Sequence, residues 1–489
     1  MSQITIQPTC VFYRPDSKRV LVRPFIPSDP KLIEHIIARA LSLSEEEVGT
    51  QLSLLREDFS SRHIDLELCW RRHYSLVRRH LEGRFPTPDR QLYIGALFSG
   101  EYALESAALF NPSIVPHPDQ TGLPEGALRF VISLRATGEG HISSIEFRSG
   151  ILQPDGSIRT DDVSRLVIAP EVKEDPSYRK DIFLRKLKEM GFENEWSRQI
   201  MQPLGKNFTH RELEQSIRGQ SNDAGPHHEI ERTMECVQWL ALSNYEVHFP
   251  PSVALSQRII FPVSPNESNG IEDARFVRFI EDDGSAFYCA TYTAYNGRAI
   301  LPQLIETPDF QNFQVCTLNG QAAQNKGMAL FPRRINGQFA MISRQDDENL
   351  FLMFSDNLHF WNDPKLLSIP RQPWEFVKIG NCGSPIETDA GWLVLTHGVG
   401  PMRRYCMGAM LLDRDNPGRV IGWLNDALIE PTGERREGYV PNVVYSCGAM
   451  IHRGHLILPY ALSDTCSTIG VVDLEELLDA LANPSDSGK

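Results

Sequence analysis

Asn269-Gly270-Ile271-Glu272-Asp273-Ala274-Arg275-Phe276-Val277-Arg278-Phe279 places two acids and an arginine between a glycine and a run that alternates into a strand. Carboxyls crowded beside a guanidinium can have their pKa values pulled apart, which suits acid catalysis. The plainer account is a strand-entry turn whose acids pair with Arg275 and Arg278. The stretch alone leaves both accounts open, and its surroundings decide between them.

After residue 250 strand patterns dominate almost to the C-terminus, and one unit recurs. It is a strand pair with a turn, the second strand ending on polar and small residues: Arg129–Gly138, Phe287–Gly297, Phe339–Arg344, Gly391–Gly398 and His455–Asp464. The last four lie about 50 to 65 residues apart, a blade-sized period. The longer gap between the first two is largely filled by a helical insertion. Five such units predict a five-bladed β-propeller. Inner strands of a propeller converge on its axis, so their polar ends share one pocket. That pools Arg135, Tyr292, Tyr295, Arg344, His397 and Asp464 with Asp273 and Arg275.

Upstream, the pattern is helical. Leu32, Ile33, Ile36, Ile37, Ala40 and Leu41 keep a helical period, and Ser44-Glu45-Glu46-Glu47 reads as a cap with acids in the first turn. A further helix from about Ser61 carries Arg71, Arg72, Arg78 and Arg79, read as a solvated face. Gly83 through Pro88 predicts a break, with a boundary near residue 90. Helical pattern returns from about Pro176 to Tyr245, with Thr209 as a cap and a mobile loop over Gly219–Pro226. The expected organisation is a largely helical extension over 1–92 and a catalytic propeller over 93–482 with an insertion at about 172–245. A helix from Leu474 to Leu481 closes it, and a polar tail covers 483–489.

Size and composition bound the function. The chain has 489 residues, 41% hydrophobic and 23% charged, ordinary for a soluble globular protein. Its net charge of −14 argues against a general nucleic-acid or anionic-membrane binder, while leaving room for a local basic pocket. No apolar run approaches the roughly 20 residues that a membrane helix needs, and the start carries no secretory pattern. Nine cysteines, dispersed and without a CxxC pair, fit buried thiols in a reducing compartment. The expectation is a soluble, cytoplasmic protein.

The pooled residues suggest a chemistry. Guanidinium groups bind phosphate in a bidentate way, Asp273 and Glu272 can supply a proton, and Tyr292, Tyr295, Tyr405 and Trp374 can offer sugar-stacking faces. Phosphate, one acid and aromatic walls suggest displacement at a sugar carbon by phosphate, with no second carboxylate needed to activate water. A tunnel whose polar groups merely pair among themselves is the competing account. The His227-His228 pair has no third ligand at a recognisable spacing, and neither a ligand cluster nor a dinucleotide Gly-rich loop is read from the sequence, so no metal or organic cofactor is expected.

The ordered set of motifs also resembles a known family. Phe110-Asn111-Pro112-Ser113 and Leu134-Arg135-Ala136 precede Gly270-Ile271-Glu272-Asp273-Ala274-Arg275. Tyr292-Thr293-Ala294-Tyr295-Asn296-Gly297 and Asn325-Lys326-Gly327-Met328-Ala329-Leu330-Phe331-Pro332 follow. His397-Gly398-Val399, Tyr405, Gly408-Ala409 and Tyr460-Ala461-Leu462-Ser463-Asp464 complete the series. From about residue 105 to 482, insertion apart, the chain resembles glycoside hydrolase family 130, the β-mannoside phosphorylases and related mannosidases. The resemblance implies a five-bladed propeller and inverting cleavage of a β-mannoside by inorganic phosphate, giving α-mannose 1-phosphate. It implies Asp273 as the general acid, its proton passing through a sugar hydroxyl. Asn111, Arg135 and Asp464 match positions around the mannosyl unit or phosphate, and Lys326, Arg344 and His397 match basic positions associated with phosphate. Arg275 is expected to hold Asp273 or reach the ligand, with Tyr292 and Tyr295 on the substrate side.

The chain departs from the family where Ala274 replaces a usual proline and where Pro459 to Asp464 replaces Tyr-Tyr-Gly-Ala-Ala-Asp. The helical additions leave the acceptor side open: they could wall off the pocket, bind longer mannosides or build a homo-oligomer contact. β-1,2-linked manno-oligosaccharides are the preferred expectation. A hydrolase on the same fold is the nearest rival and would need a base such as Glu437. A non-catalytic carbohydrate-binding propeller is the rival from another class.

Overall fold

The structure, a computed structural model, describes residues 4–81, 83–173, 176–220, 227–297 and 300–483, and its long strands fall into five four-strand groups. The first runs Ala108–Pro116, Leu128–Thr137, Ser143–Leu152 and Ile158–Thr160. The second runs Gly270–Ile280, Ala286–Tyr295, Ile300–Thr307 and Asn312–Thr317. The third runs Ala329–Leu330, Phe339–Ser343, Leu350–Ser355 and Lys365–Ser368. The fourth runs Lys378–Asn381, Gly391–Gly400, Arg404–Leu412 and Val420–Trp423. The fifth runs Val444–Tyr445, His455–Leu462, Cys466–Asp473 and Ile6–Tyr13. Each strand predicted from the sequence repeat is the second strand of its group.

Strand alternation explains why the groups stack. Ala340 and Ile342 pack with Trp392 and Met410 of the fourth group, while Phe339 and Met341 pack with Phe279 and Leu304 of the second. Successive residues of one strand therefore bury opposite faces, and polar alternation disappears because both faces are covered. The same sharing joins first to second through Phe147, Phe276 and Phe313, and fourth to fifth through Leu395, Met407 and Leu458. It also joins fifth to first through Ile457, Ile469, Ile132 and Leu134. Trp361 and Trp392 are fully buried in two of these layers; each such side chain contributes about 1.5–3 kcal/mol or more through burial. Between the first and second groups, Gly270 pairs in parallel with Ser143 at φ +130°. A Cβ at Gly270 would stand 2.7 Å from the Ser143 nitrogen, so the junction requires glycine.

The N-terminal region differs from the expectation in two ways. Ile6–Tyr13 is a strand that pairs with Cys466–Asp473, so the chain's start belongs to the last sheet and not to a separate extension. The predicted boundary falls inside a helix, Pro88–Leu97, whose start is capped by Thr87 with proline in the first turn. The other helices are Pro30–Ser42, Glu45–Phe59 and Leu66–Val77, and Ser44 and Glu47 form the capping box that the sequence predicts. Val20–Pro24 pairs with Ser99–Ala103. Nearby, Arg19 and Arg148 are buried against Glu105 and Glu146, tying this region to the first sheet.

The insertion folds as helices Lys180–Glu189, Glu195–Met201, His210–Gln220 and His227–Leu242 around Phe183, Leu187, Phe208 and Leu240. Thr209 caps the third as expected. Most of the predicted 219–226 loop, and the side chains of the His227-His228 pair, lie outside the described residues. Tyr245–His248 and Glu171–Val172 extend the outer edge of the second group. Leu474–Ala482 is the closing helix; of the expected tail only residue 483 is described. Among the described residues no helix is long and apolar enough to cross a membrane. All nine cysteines are unpaired.

Candidate active site

The first strands of two neighbouring groups carry matching irregularities. Between Phe110 and Ser113, and again between Glu272 and Arg275, the first strand holds one residue more than its partner strand. Each bulge contains a left-handed residue, Asn111 at φ +50° and Asp273 at φ +57°. Asn and Asp tolerate this conformation better than other side-chain-bearing residues, and a bulge re-aims the side chain it carries. Here the two side chains meet: Asn111 Nδ2 donates to Asp273 Oδ1 at 2.6 Å.

A chain of charges surrounds this pair. Arg135 Nη1 lies 3.4 Å from Asp273 Oδ1, and its Nη2 donates to Glu272 Oε1 at 2.7 Å. Lys326 Nζ donates to Glu272 Oε2 at 2.6 Å, so Glu272 bridges two cations. Ser143 Oγ accepts from Arg135 Nε at 2.9 Å and fixes the guanidinium. Arg275 holds the backbone of the same bulge. It donates to the Asp273 carbonyl at 3.1 Å and to Tyr445 Oη at 2.7 Å, locking the bulge.

A second pair adjoins through rings. Tyr445 packs against His397 at 4.8 Å between centroids, and Tyr405 stacks on His397 at 6.0 Å. His397 Nδ1 meets the Asn381 carbonyl at 3.1 Å and Nε2 meets Arg344 Nη1 at 3.2 Å. The carbonyl requires a proton on Nδ1 and the guanidinium requires an acceptor at Nε2, so His397 is the neutral Nδ1–H tautomer. Burial, with Arg344 and Arg275 nearby, holds its pKa well below the ordinary histidine value, in agreement. Arg344 also pairs with Asp347 at 3.1 Å.

The carboxyls differ. Burial alone would raise Asp273, but Arg135, Arg275, Lys326 and the Asn111 hydrogen bond outweigh it and hold the group below the usual range. Asp464, left-handed at φ +49°, is pushed up to about 7 by burial, against Arg135 and with Asp273 adding to the rise. Three cationic side chains, Arg135, Arg275 and Lys326, thus gather near Glu272, Asp273 and Asp464, while Arg344 stands beside His397.

The structure therefore brings Asn111, Arg135, Asp273, Arg275, Lys326 and Asp464 together, with Arg344 and His397 linked through Arg275 and Tyr445. Tyr292 is placed otherwise: it shares a core face with Tyr288, Ala290 and Ala294, and its hydroxyl donates to buried Glu267. Trp374 is likewise no open stacking face, because Gly398 and Gly408 pack against its ring and its indole donates to the Asn425 carbonyl. Tyr295 is half-buried at the strand end, its carbonyl accepting from the Asn269 nitrogen. Glu437 is exposed, its loop packed on Ser463 and Thr465 beside Asp464. Glu272 as a bridge and Tyr445 as an anchor were not anticipated. The signal for Tyr445 was positional, since it opens the fifth group as Asp273 opens the second.

Comparison with known proteins now bears on this site. A family model described as β-1,4-mannooligosaccharide phosphorylase, of glycoside hydrolase family 130, matches residues 247–483. A 1,2-β-oligomannan phosphorylase of Thermoanaerobacter is 30% identical over 262 residues, covering 53% of this chain and 85% of that relative. A β-1,4-mannooligosaccharide phosphorylase of Ruminococcus albus is 30% identical over 221 residues, covering 43% of this chain and 64% of its own. Among solved structures, a β-1,2-mannobiose phosphorylase from Listeria innocua, in complex with β-1,2-mannobiose, aligns with a TM-score of 0.45 at 22% identity. That alignment covers 77% of this chain and 92% of that one. The chain belongs to glycoside hydrolase family 130.

Proposed function

We propose that the chain is an inverting phosphorylase of β-mannosides, with β-1,2-linked manno-oligosaccharides as preferred substrates and inorganic phosphate as co-substrate. The observation that carries the reading is the Asp273 carboxyl set among Arg135, Arg275 and Lys326, with Glu272 bridging Arg135 to Lys326; guanidinium and ammonium groups gathered in this way can hold a phosphate dianion. Names of relatives point the same way, since they include phosphorylases of both β-1,2- and β-1,4-mannosides. The fold belongs to the proposal as a five-bladed propeller, residues 93–482, closed by the strand Ile6–Tyr13; the circular sharing of cores supports it. A cytoplasmic setting is also proposed, supported by nine unpaired cysteines.

In this reading a phosphate oxygen attacks the anomeric carbon as the bond to the leaving sugar's oxygen breaks; that oxygen takes the proton of a sugar hydroxyl, which is in turn reprotonated by Asp273. Inversion gives α-mannose 1-phosphate and a shortened mannoside. Asn111, Arg275, Asp464 and Tyr295 hold the mannosyl side, and Arg135, Lys326 and Arg344 hold phosphate, with neutral His397 positioning Arg344. Asp273 is kept ionised by its cations when phosphate is absent. A bound dianion offsets those cations, so the carboxyl pKa rises and the acid becomes loaded as the second substrate arrives.

The test is incubation with β-1,2- and β-1,4-mannobiose, with and without phosphate, followed by assay of mannose 1-phosphate. Phosphate-dependent release of mannose 1-phosphate from the β-1,2 substrate is expected. Free mannose formed equally well without phosphate would replace the proposal with a mannosidase, and binding without turnover would replace it with a carbohydrate-binding propeller.

A further inference from the structure

Three ligand-type side chains meet at a place that the proposed reaction does not use. Glu306 lies on Ile300–Thr307 and Cys316 on the neighbouring strand Asn312–Thr317. Glu306 pairs with Gln314 across the two strands, which makes Cys316 its diagonal neighbour on the same face. His359 reaches this spot from the loop after Leu350–Ser355, and its Nε2 lies 3.2 Å from Glu306 Oε1. One donor atom from each residue, carboxylate oxygen, thiol sulfur and imidazole nitrogen, lies within 4.8 Å of the other two.

The loop carrying His359 is fixed before any ligand arrives. Its carbonyl accepts from the Asn319 backbone nitrogen at 2.9 Å and from Asn319 Nδ2 at 2.9 Å, and its nitrogen donates to Asn357 Oδ1 at 2.9 Å. Cys316 and His359 both line a cavity of about 350 Å³ between the helical insertion and the second sheet, and no residue of the Asp273 cluster lines it. Arg179 lines the same cavity, and its charge is offset by Asp181 at 2.8 Å. A pairing of Glu306 with His359 would not need a sulfur at the same point. A mixed sulfur, nitrogen and oxygen set suits a borderline-soft divalent ion.

We propose that Glu306, Cys316 and His359 form a zinc-type metal site, its fourth coordination position open toward the cavity beside the helical insertion. Bonds of about 2.0–2.3 Å in tetrahedral geometry need donors roughly 3.3–3.8 Å apart. Side-chain rotations that contract the cluster by about an ångström reach that spacing. Three protein ligands and one open position is the arrangement in which zinc binds a water or a small ligand. The site would fasten the loop of His359 to the second sheet.

The experiment uses the full chain without an affinity tag, stripped by chelator and dialysed, then titrated with Zn²⁺ against a competing chelator and separately with Co²⁺. One zinc per chain is expected, with a thiolate-to-cobalt charge-transfer band that disappears in Cys316→Ser. His359→Gln should weaken zinc binding by roughly tenfold or more, as loss of an essential contact at a metal site does. Melting curves of both variants show that they are folded; should Cys316→Ser fail to fold, His359→Gln and Glu306→Gln carry the test. Wild-type protein that takes up no zinc overturns the proposal. So does zinc binding that is unchanged in the folded variants, because the ion would then sit elsewhere.

Discussion

Asn111 Nδ2 lies 2.6 Å from Asp273 Oδ1, and both residues hold a left-handed backbone at the bulge of the first strand in adjacent sheets. The acid is thus aimed by two backbone irregularities acting together, one under the carboxyl and one under the amide that holds it. Separating those contributions is possible because glycine keeps the backbone and loses the amide. Asn111→Gly and Asn111→Ala should lower turnover alike, by about tenfold for one lost hydrogen bond to a charged group. Only the alanine variant should also lose stability, by about 1–2 kcal/mol, because a Cβ is strained at positive φ. Kinetics and denaturant melts check this, and equal stability of the two variants would remove the strain argument.

Asp273→Asn keeps the size and the left-handed preference of the residue while removing its proton. Turnover should fall by about 10²–10⁴-fold, the usual worth of a positioned acid, with the far-ultraviolet spectrum unchanged. Substantial residual turnover would take Asp273 out of its role.

Lys326 donates to Glu272 at 2.6 Å and adds its charge beside Asp273, with about a third of its side chain exposed. Lys326→Ala should raise the KM for phosphate by roughly 10–100-fold, matching about 1.5–3 kcal/mol for a charged hydrogen bond, and that for the mannoside far less. Equal rises in both would assign the lysine to general architecture.

Asp464 makes the site sensitive to pH. Its pKa of about 7 means a neutral carboxyl below that pH and an added negative charge beside Arg135 above it. The KM for phosphate should climb above neutrality by up to about tenfold per pH unit, the limit for one ionisation. Asp464→Asn should flatten that climb, comparison with wild type removing the phosphate's own titration. Because the folded pKa is raised from 3.8, the same group withdraws stability as pH rises from that value through about 7.

Much of this architecture was legible because both faces of each strand are buried between sheets. Apolar runs such as Gly391–Gly400 stand out at blade-sized intervals, and the polar ends of those runs named Arg135, His397 and Asp464. What was not legible has a common cause: sequence pattern does not say what a strand or ring packs against. Ile6–Tyr13 finds its partner about 460 residues away, as the Thr9 hydroxyl on the Ile469 carbonyl marks. Thr87-Pro88 was read as a break although it is equally a cap and first turn. Tyr292 was counted as a pocket wall by residue type, yet the alternation Tyr288, Ala290, Tyr292, Ala294 already placed it on the core face. Glu272 was read as a proton source or as a partner of Arg275 and Arg278, and its part in joining Arg135 to Lys326 depends on residues far from it in the chain.

Gly380 tests whether His397 acts by placing Arg344. A Cβ there would stand 2.2 Å from His397 Cε1 and 3.1 Å from Arg344 Nη1. The ring cannot retreat freely, because the Asn381 carbonyl holds Nδ1 and Tyr445 and Tyr405 flank it. Gly380→Ala should therefore shift the imidazole and with it the guanidinium. The expected result is a loss of about 1–3 kcal/mol in stability from overpacking and a raised KM for phosphate, with the mannoside KM nearly unchanged. His397→Asn, which keeps a polar group but cannot span both contacts, should reproduce the phosphate effect without the overpacking cost. If the two variants instead raised the mannoside KM and spared phosphate, Arg344 and His397 would belong to the sugar side of the site.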